Sequence, residues 1–301
     1  MHDIKGIGNL LILLMLFFAS CDDRAVKDTQ TAGQIAVSVD ETYKPIMEEQ
    51  FRVFMSRYPE AKINASYKPE SECIKDYLED STRVIFITRD LTKEEKDYAL
   101  SKQLVTRSLP MARDALAIIM SKDNTEPKFT QAELVAILTG ADKNHDYQVV
   151  FDNTGSSTVR FITDSVLAKN QALSKNVFAT KSSQEVVDYV SKNPTAIGII
   201  GVNYVSDYKD STAENFLQQI NVASIQPSGS KDGKYIKPYL AYIGLREYPF
   251  TRNLFFVSKE TWPGLGTGLV NYLCRDGQIL FKQAKLFPLQ SNVFLRETRV
   301  H

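Results

Sequence analysis

Short apolar runs alternate with segments of helical period along most of this 301-residue chain, and this alternation restricts the fold more than any other feature. Apolar residues between Pro45 and Pro59 fall on one helical face. The predicted strands are residues 35–39, 62–67, 83–88, 115–120, 197–200 and 255–257. Strands that alternate with helices predict parallel sheets covered by helices, and the chain length suits two lobes.

Three further helices are predicted from capping boxes, in which a hydroxyl residue is followed three positions later by glutamate. The boxes are Thr92–Glu95, Thr130–Glu133 and Ser182–Glu185. The second of these helices is expected to end at Gly140 and the third before Pro194. Residues 269–286 are predicted to be mostly helical.

The amino end is a separate segment. Lys5 precedes the apolar run "LLILLMLFFA" (10–19), which has the length of a secretory signal core and is too short to span a bilayer. Small residues before Cys21 resemble a bacterial lipobox. We therefore expect a signal peptide over 1–20, lipid on Cys21 and a polar, flexible tether over 21–34. The alternative is a secreted protein with an incidental cysteine.

The formal net charge of zero gives no basic field for nucleic acid, and membrane contact is expected only through the lipid anchor. Cys73 and Cys274 are expected to be free thiols, although an oxidising compartment permits a bridge. Outside the termini, His145 is the only histidine, so the sequence contains no histidine or cysteine cluster with metal spacing and no nucleophile motif. We expect no cofactor, no metal site, no catalytic residue and no enzymatic activity.

The stretch "VVFDNTGSSTVRF" (149–161) reads as strand, turn and helix, with Ser156, Ser157 and Thr158 at the helix start. Free backbone N–H groups, the helix dipole and hydroxyls together suit an oxyanion. The alternative is that one of the three hydroxyls simply caps the helix.

Other polar groups occupy comparable positions at the ends of strands or the starts of helices. They are Thr42 in "SVDETYKP", Ser71 in "SECIKDYL", and Thr88 and Arg89 in "FITRD". Ligands of open α/β sheets bind outside the carboxyl ends of strands, so these groups are expected to converge on one cleft.

The order of "VDETYKPIMEEQ", "RVIFITRDLTKEE", "TQAELVAILTG", "VVFDNTGSSTVRF", "AIGIIGVNYV" and "YPFTRNLFFV" resembles the phosphate-binding proteins of bacterial ABC importers, over roughly residues 35–290. The resemblance implies an α/β, two-lobed periplasmic binding protein-like fold of type II, with two hinge crossings and a ligand cleft between the lobes. It places lobe 1 at 35–112 and 246–301, and lobe 2 at 113–245. The crossings are expected near 112–115 and 239–245.

The resemblance also assigns roles residue by residue. Ser156, Ser157 and Thr158 match the Ser-Gly-Thr anion loop of the family, and Thr88 with Arg89 matches its Ser-Arg element. Thr42 and Ser71 lie in its two other anion loops. The expected ligand-binding residues are Thr42, Ser71, Thr88, Arg89, Asp152, Ser156, Ser157 and Thr158.

Three acidic residues depart from the family pattern. Glu41 and Glu72 stand where small residues are usual, and Asp152 stands where many members carry arginine. Asp152 either accepts the proton of a hydrogen phosphate or ties down its own loop as an Asx turn. Arg89 is either the ligand's cation or a structural ion-pair partner, and Arg160 is expected to point to solvent.

These features predict a monomeric, lipid-anchored solute-binding protein on the periplasmic face of the cell envelope. It would capture phosphate or a similar tetrahedral oxyanion for an ABC importer permease. The alternative is an envelope sensor or assembly lipoprotein that keeps the fold and has weak or no phosphate affinity.

Overall fold

A computed structural model describes residues 28–79, 82–206, 211–230 and 232–290. The strands are β1 (Gly33–Asp40), β2 (Ala61–Lys68), β3 (Val84–Ile87), β4 (Arg107–Ser121), β5 (Lys128–Thr130), β6 (Gln148–Phe151), β7 (Val177–Ala179), β8 (Ala196–Gly201), β9 (Ile220–Val222), β10 (Ser224–Gln226), β11 (Thr251–Ser258) and β12 (Phe287–Pro288). The α-helices are α1 (Lys44–Arg57), α2 (Glu70–Leu78), α3 (Lys93–Ser101), α4 (Gln131–Thr139), α5 (Ser157–Phe161), α6 (Ser183–Lys192), α7 (Ser211–Gln219), α8 (Leu240–Leu245), α9 (Leu265–Leu273) and α10 (Gln278–Gln283).

Strand β4, with 15 residues, joins two sheets. Its first part, from Arg107 to Ala115, pairs with β11, and its second part, from Leu116, pairs with β8 and β9. The strand order is β2-β1-β3-β11-β4 on one side and β4-β8-β6-β7 on the other. The chain therefore passes between the two sheets within a single continuous strand.

The parallel pairing expected from the alternating pattern holds away from β4 and β11. Strand β1 runs parallel to β2 and β3, and β6 runs parallel to β7 and β8. The expectation is wrong for β4 and β11, which pair antiparallel with each other and with their other neighbours. Periodicity could not reveal this, because it reports which faces are buried and carries no strand direction.

Strand β11 lies between β3 and β4, so a segment from the carboxyl-terminal part of the chain completes the sheet that begins at β1. This arrangement suits the expected division into a discontinuous lobe 1 and a central lobe 2. The exact lobe boundaries remain a prediction.

Local signals located most of the helix ends. Thr92 and Thr130 both form complete capping boxes, and Gly140 ends α4 in the left-handed conformation at φ 71°. At Ser182 the box is incomplete, because Glu185 bonds the N–H of Lys181 instead of that of Ser182. Two elements differ in length from the prediction. The strand predicted at 115–120 begins at Arg107, and the predicted carboxyl-terminal helix consists of two shorter helices, α9 and α10.

The expected tether is shorter than predicted at its carboxyl end. The carboxylate of Asp28 accepts bonds from the backbone N–H of Leu265 and the indole N–H of Trp262, and it pairs with Arg83. Residues 28–34 therefore contact the folded part of the chain. The predicted signal peptide and Cys21 lie outside the described residues.

Cys73 is buried and Cys274 half-buried, and both are free thiols, as expected. Within the described ranges, no cluster of three or more metal-ligating side chains is present. None of the helices in that part of the chain has the length and apolarity needed to cross a membrane.

Candidate functional site

The three consecutive hydroxyls have three different partners. Ser156 is the N-cap of α5 and accepts a bond from the N–H of Val159. Thr158 donates to Asp152 at 3.4 Å. Ser157 lies between them and is fully buried. Capping therefore accounts for Ser156 alone and does not involve the hydroxyl of Ser157.

Ser157 meets Thr42 across the cleft. Their hydroxyl oxygens are 3.3 Å apart, although one residue follows β1 and the other follows β6. The backbone of Thr42 is fixed twice, since its N–H donates to Asp40 and its carbonyl accepts from Asn203. The structure thus brings together two of the residues that the sequence analysis expected to converge.

The cation nearest these hydroxyls is Arg252, which the sequence analysis did not select. Its Nη1 donates to Ser157 Oγ at 3.0 Å, and its Nε donates to Asp114 at 2.8 Å. Arg252 and Asp114 are cross-strand partners in the β4–β11 register, and their side chains are 2% and 0% exposed. Burial alone would lower the pKa of Arg252, but Tyr43, Asp114 and Asp40 outweigh it and raise that pKa above its ordinary value.

Three acidic groups lie near the same place. Burial, together with the charge of Glu70, raises the pKa of Asp40 to about 7. Burial, together with Asp152 and Asp40, raises the pKa of Glu41 to about 8. Burial also raises the pKa of Asp152. Near neutral pH this part of the cleft therefore holds carboxyl groups that retain protons more readily than they would in water.

Asp152 does not make the Asx turn that was its alternative interpretation. Asn153 does so, because its side-chain oxygen accepts from the N–H of Gly155 at 2.8 Å. Asp152 is instead fully buried and bonds the side chains of Thr158 and Ser156, so it still holds its own loop through these two hydroxyls.

A second polar cluster surrounds Glu70, the first residue of α2. Its carboxylate accepts from the N–H of Thr88 at 2.8 Å and from the hydroxyl of Thr88 at 2.6 Å. Arg160 donates to the same carboxylate and, at 2.6 Å, to Thr88. The expectation that Arg160 points to solvent is wrong: from the fourth position of α5 it reaches across the cleft to Glu70 at the start of α2.

The remaining two expected residues lie at the edge of the cleft. Arg89 forms two bonds with Glu95, at 2.7 and 2.8 Å, and its Nε is 3.9 Å from Glu70. This geometry suits the structural ion-pair alternative. Ser71 is exposed, and its hydroxyl donates to the carbonyl of Gly155 at 3.5 Å.

Sequence reasoning missed Arg252, Asp114 and Glu70. The stretches "YPFTRNLFFV" and "ARDALAIIM" held a signal for the first two, since each places a charged residue in an otherwise apolar strand. Such a residue is buried only when it is paired. Glu70 carried no comparable signal, because a glutamate in the first helical turn is ordinary.

Several buried polar atoms in the cleft have no hydrogen-bond partner among the described residues. Arg252 Nη2 is one such donor; the acceptors are Asp40 Oδ2, Glu41 Oε1 and Asp152 Oδ1. Buried polar groups are almost always paired, so each needs a partner. A ligand that both accepts and donates hydrogen bonds would meet this need.

The protein has two β-sheets covered by helices and joined by one long strand, with buried polar groups between them. This arrangement defines a two-lobed protein with the periplasmic binding protein-like fold. The chain belongs to the family described as the PBP superfamily domain, whose model matches residues 25–276. This is a family of binding proteins and not of enzymes.

Among named proteins, the chain is similar to the phosphate-binding protein PstS of Staphylococcus epidermidis, with 23% identity over 230 residues. These cover 73% of this chain and 66% of that protein, so the chain spans just under two thirds of its length. PstS of Borreliella burgdorferi is 24% identical over 76% of this chain and 79% of its own length. A substrate-binding protein from Clostridium perfringens, solved with bound phosphate, has a TM-score of 0.71 at 22% identity, covering 85% of this chain and 100% of that one.

Proposed function

We propose that this protein is an extracytoplasmic solute-binding protein that captures phosphate, or a similar tetrahedral oxyanion, in the cleft between its two sheets. It would deliver the anion to an ABC importer permease. The named relatives are phosphate-binding proteins, which supports this proposal.

One observation carries the proposal most strongly. Arg252 is buried beside the hydroxyls of Ser157 and Thr42, and its Nη2 lacks a partner among the described residues. A buried guanidinium surrounded by hydroxyl donors suits an oxyanion, because hydrogen bonds to ionised groups are the strong ones. Arg252 would replace Arg89 as the main cation, while Thr42, Ser157 and Thr158 would supply hydroxyls.

Titration of phosphate, sulfate, molybdate and arsenate by calorimetry tests the proposal on the chain from residue 26 onward. We expect phosphate to bind in the micromolar range or tighter. If no tetrahedral oxyanion binds at millimolar concentration, the proposal is wrong.

Asp152 offers a test of selectivity. Its unpartnered oxygen would accept the proton of a hydrogen phosphate, which sulfate lacks at neutral pH. We expect Asp152→Asn to narrow the difference in affinity between phosphate and sulfate. Asp146→Asn, at an exposed position before β6, is the matched control and should leave that difference unchanged.

A second candidate function is an envelope sensor or assembly lipoprotein with weak phosphate affinity. It is favoured by the excess of acidic over basic groups around the cleft. The acidic groups are Asp40, Glu41, Glu70, Asp114 and Asp152, and the basic groups are Arg89, Arg160 and Arg252. The same titration separates the two candidates.

The proposed location is the periplasmic face of the cell envelope, with a monomeric protein held to the membrane by lipid on Cys21. The lipobox-like sequence before Cys21 supports this part of the proposal.

A further inference from the structure

The carboxylate of Glu70 is held in the way that a bound oxyanion would be held. It accepts bonds from a backbone N–H, a hydroxyl and a guanidinium, supplied by Thr88 and Arg160. These are the donor types that proteins use for phosphate and carboxylate ligands. The side chain of Glu70 is 2% exposed, so the contact is internal to the cleft.

The contact also connects the two sheets. Glu70 and Thr88 belong to the side built around β1 and β3, whereas Arg160 lies in α5, which follows strand β6. Glu70 acts electrostatically on Asp40, whose carboxylate fixes Thr42. The Glu70 cluster and the Thr42–Ser157–Arg252 cluster are therefore neighbouring parts of one polar interior.

We propose that Glu70 is a built-in competitor of the bound anion, whose carboxylate occupies donors of Thr88 and Arg160 that an incoming oxyanion would otherwise use. This proposal rests on the proposed function, since it concerns the affinity of the same cleft. An oxyanion that enters must either displace Glu70 or bind with fewer donors and against its negative charge. Glu70 would thus set the affinity, and through it the ligand concentration at which the protein responds.

The test is calorimetric titration of inorganic phosphate into the full chain and two variants. Glu70→Gln keeps the length of the side chain and removes its charge, which weakens its hold on Arg160. Glu94→Gln makes the same change at an exposed position in the first turn of α3 and serves as the matched control. Thermal unfolding of each protein shows whether it is folded. If Glu70→Gln does not fold, Glu70→Ala takes its place.

We expect Glu70→Gln to bind phosphate about tenfold more tightly or better, a change of about 1.4 kcal/mol. The affinity of Glu94→Gln should stay within about threefold of that of the original protein, because an exposed charge is screened. If Glu70→Gln binds phosphate and the unaltered protein does not, the competitor role is supported. The same result would show that the unaltered protein does not capture phosphate.

An unchanged or weaker affinity in Glu70→Gln, when the unaltered protein binds phosphate, would overturn the competitor role and leave the proposed function intact. It would mean that Glu70 serves only to hold the two sheets together. If neither protein binds phosphate, the proposed function fails, and the competitor role fails with it.

Discussion

The buried pair of Arg252 and Asp114 makes separate predictions for stability and for binding. Their side chains are 2% and 0% exposed, and Nε of Arg252 lies 2.8 Å from Oδ2 of Asp114. Removing one partner of such a pair leaves an uncompensated buried charge, which typically costs about 3–5 kcal/mol. For a chain of this size, about 2–4 °C of melting temperature corresponds to 1 kcal/mol. Arg252→Gln should therefore lower the melting temperature by about 6–20 °C.

Asp114→Asn should destabilise the protein less than Arg252→Gln, because Asp40 still acts electrostatically on Arg252. In the double variant Arg252→Gln/Asp114→Asn, two neutral amides face each other across the β4–β11 ladder. At least half of the lost stability should return, since neither member of the Arg252–Asp114 pair is then left charged without the other.

The affinities of these variants for phosphate should follow a different order from their stabilities. Asp114→Asn keeps Arg252 and should still bind, whereas the double variant should fail to bind although it is well folded. Urea unfolding followed by circular dichroism gives the stabilities, and calorimetry gives the affinities. A loss below about 1 kcal/mol in Arg252→Gln would refute the buried-pair argument. Binding of phosphate by the double variant at the original affinity would refute the ligand role of Arg252.

Three further predictions follow from the site and the amino end. Glu41 has a folded-state pKa raised to about 8, so its contribution to stability is complete below its ordinary pKa of 4.5 and is lost as the pH rises through 8. Because of this group, the free energy of unfolding should fall between pH 6 and pH 8.5 by at most about 1.4 kcal/mol per pH unit. Urea unfolding should show a smaller fall in Glu41→Gln. Equal falls in both proteins would contradict the raised pKa of Glu41. Ser157→Ala should weaken phosphate binding about tenfold to a hundredfold in calorimetry, and it should also cost about 1–3 kcal/mol of stability because Nη1 of the buried Arg252 loses this acceptor. Ser156→Ala should cost about 1 kcal/mol of stability through loss of the helix cap, with a smaller effect on affinity; an unchanged affinity in Ser157→Ala would refute its ligand role. Cys21→Ser should abolish incorporation of radioactive palmitate in cells, and normal labelling of that variant would rule out the lipid anchor.

How much of the site could be predicted from sequence depended on how locally each residue is held. The role of Ser156 as a helix cap was open from sequence, and the local turn decided it. For Arg89 the choice lay between a ligand and an ion pair, and the partner proved to be Glu95, only six residues away. The direction of Arg160 could not be predicted, because its partner Glu70 lies 90 residues away in the chain.

The sequence by itself determined the local elements of this protein. Capping residues at Thr92 and Thr130, the glycine at 140 and the apolar face of α1 act through neighbours within a few residues, so their effect is readable from the pattern. Only the tertiary structure decided which charges meet in the cleft. Arg252 reaches Ser157 across 95 residues of sequence because β11 is inserted beside β4, and that insertion depends on long-range pairing of strands. Periodicity reports which side of a strand is buried, but the identity of the partner is set by which strands pair and in which register.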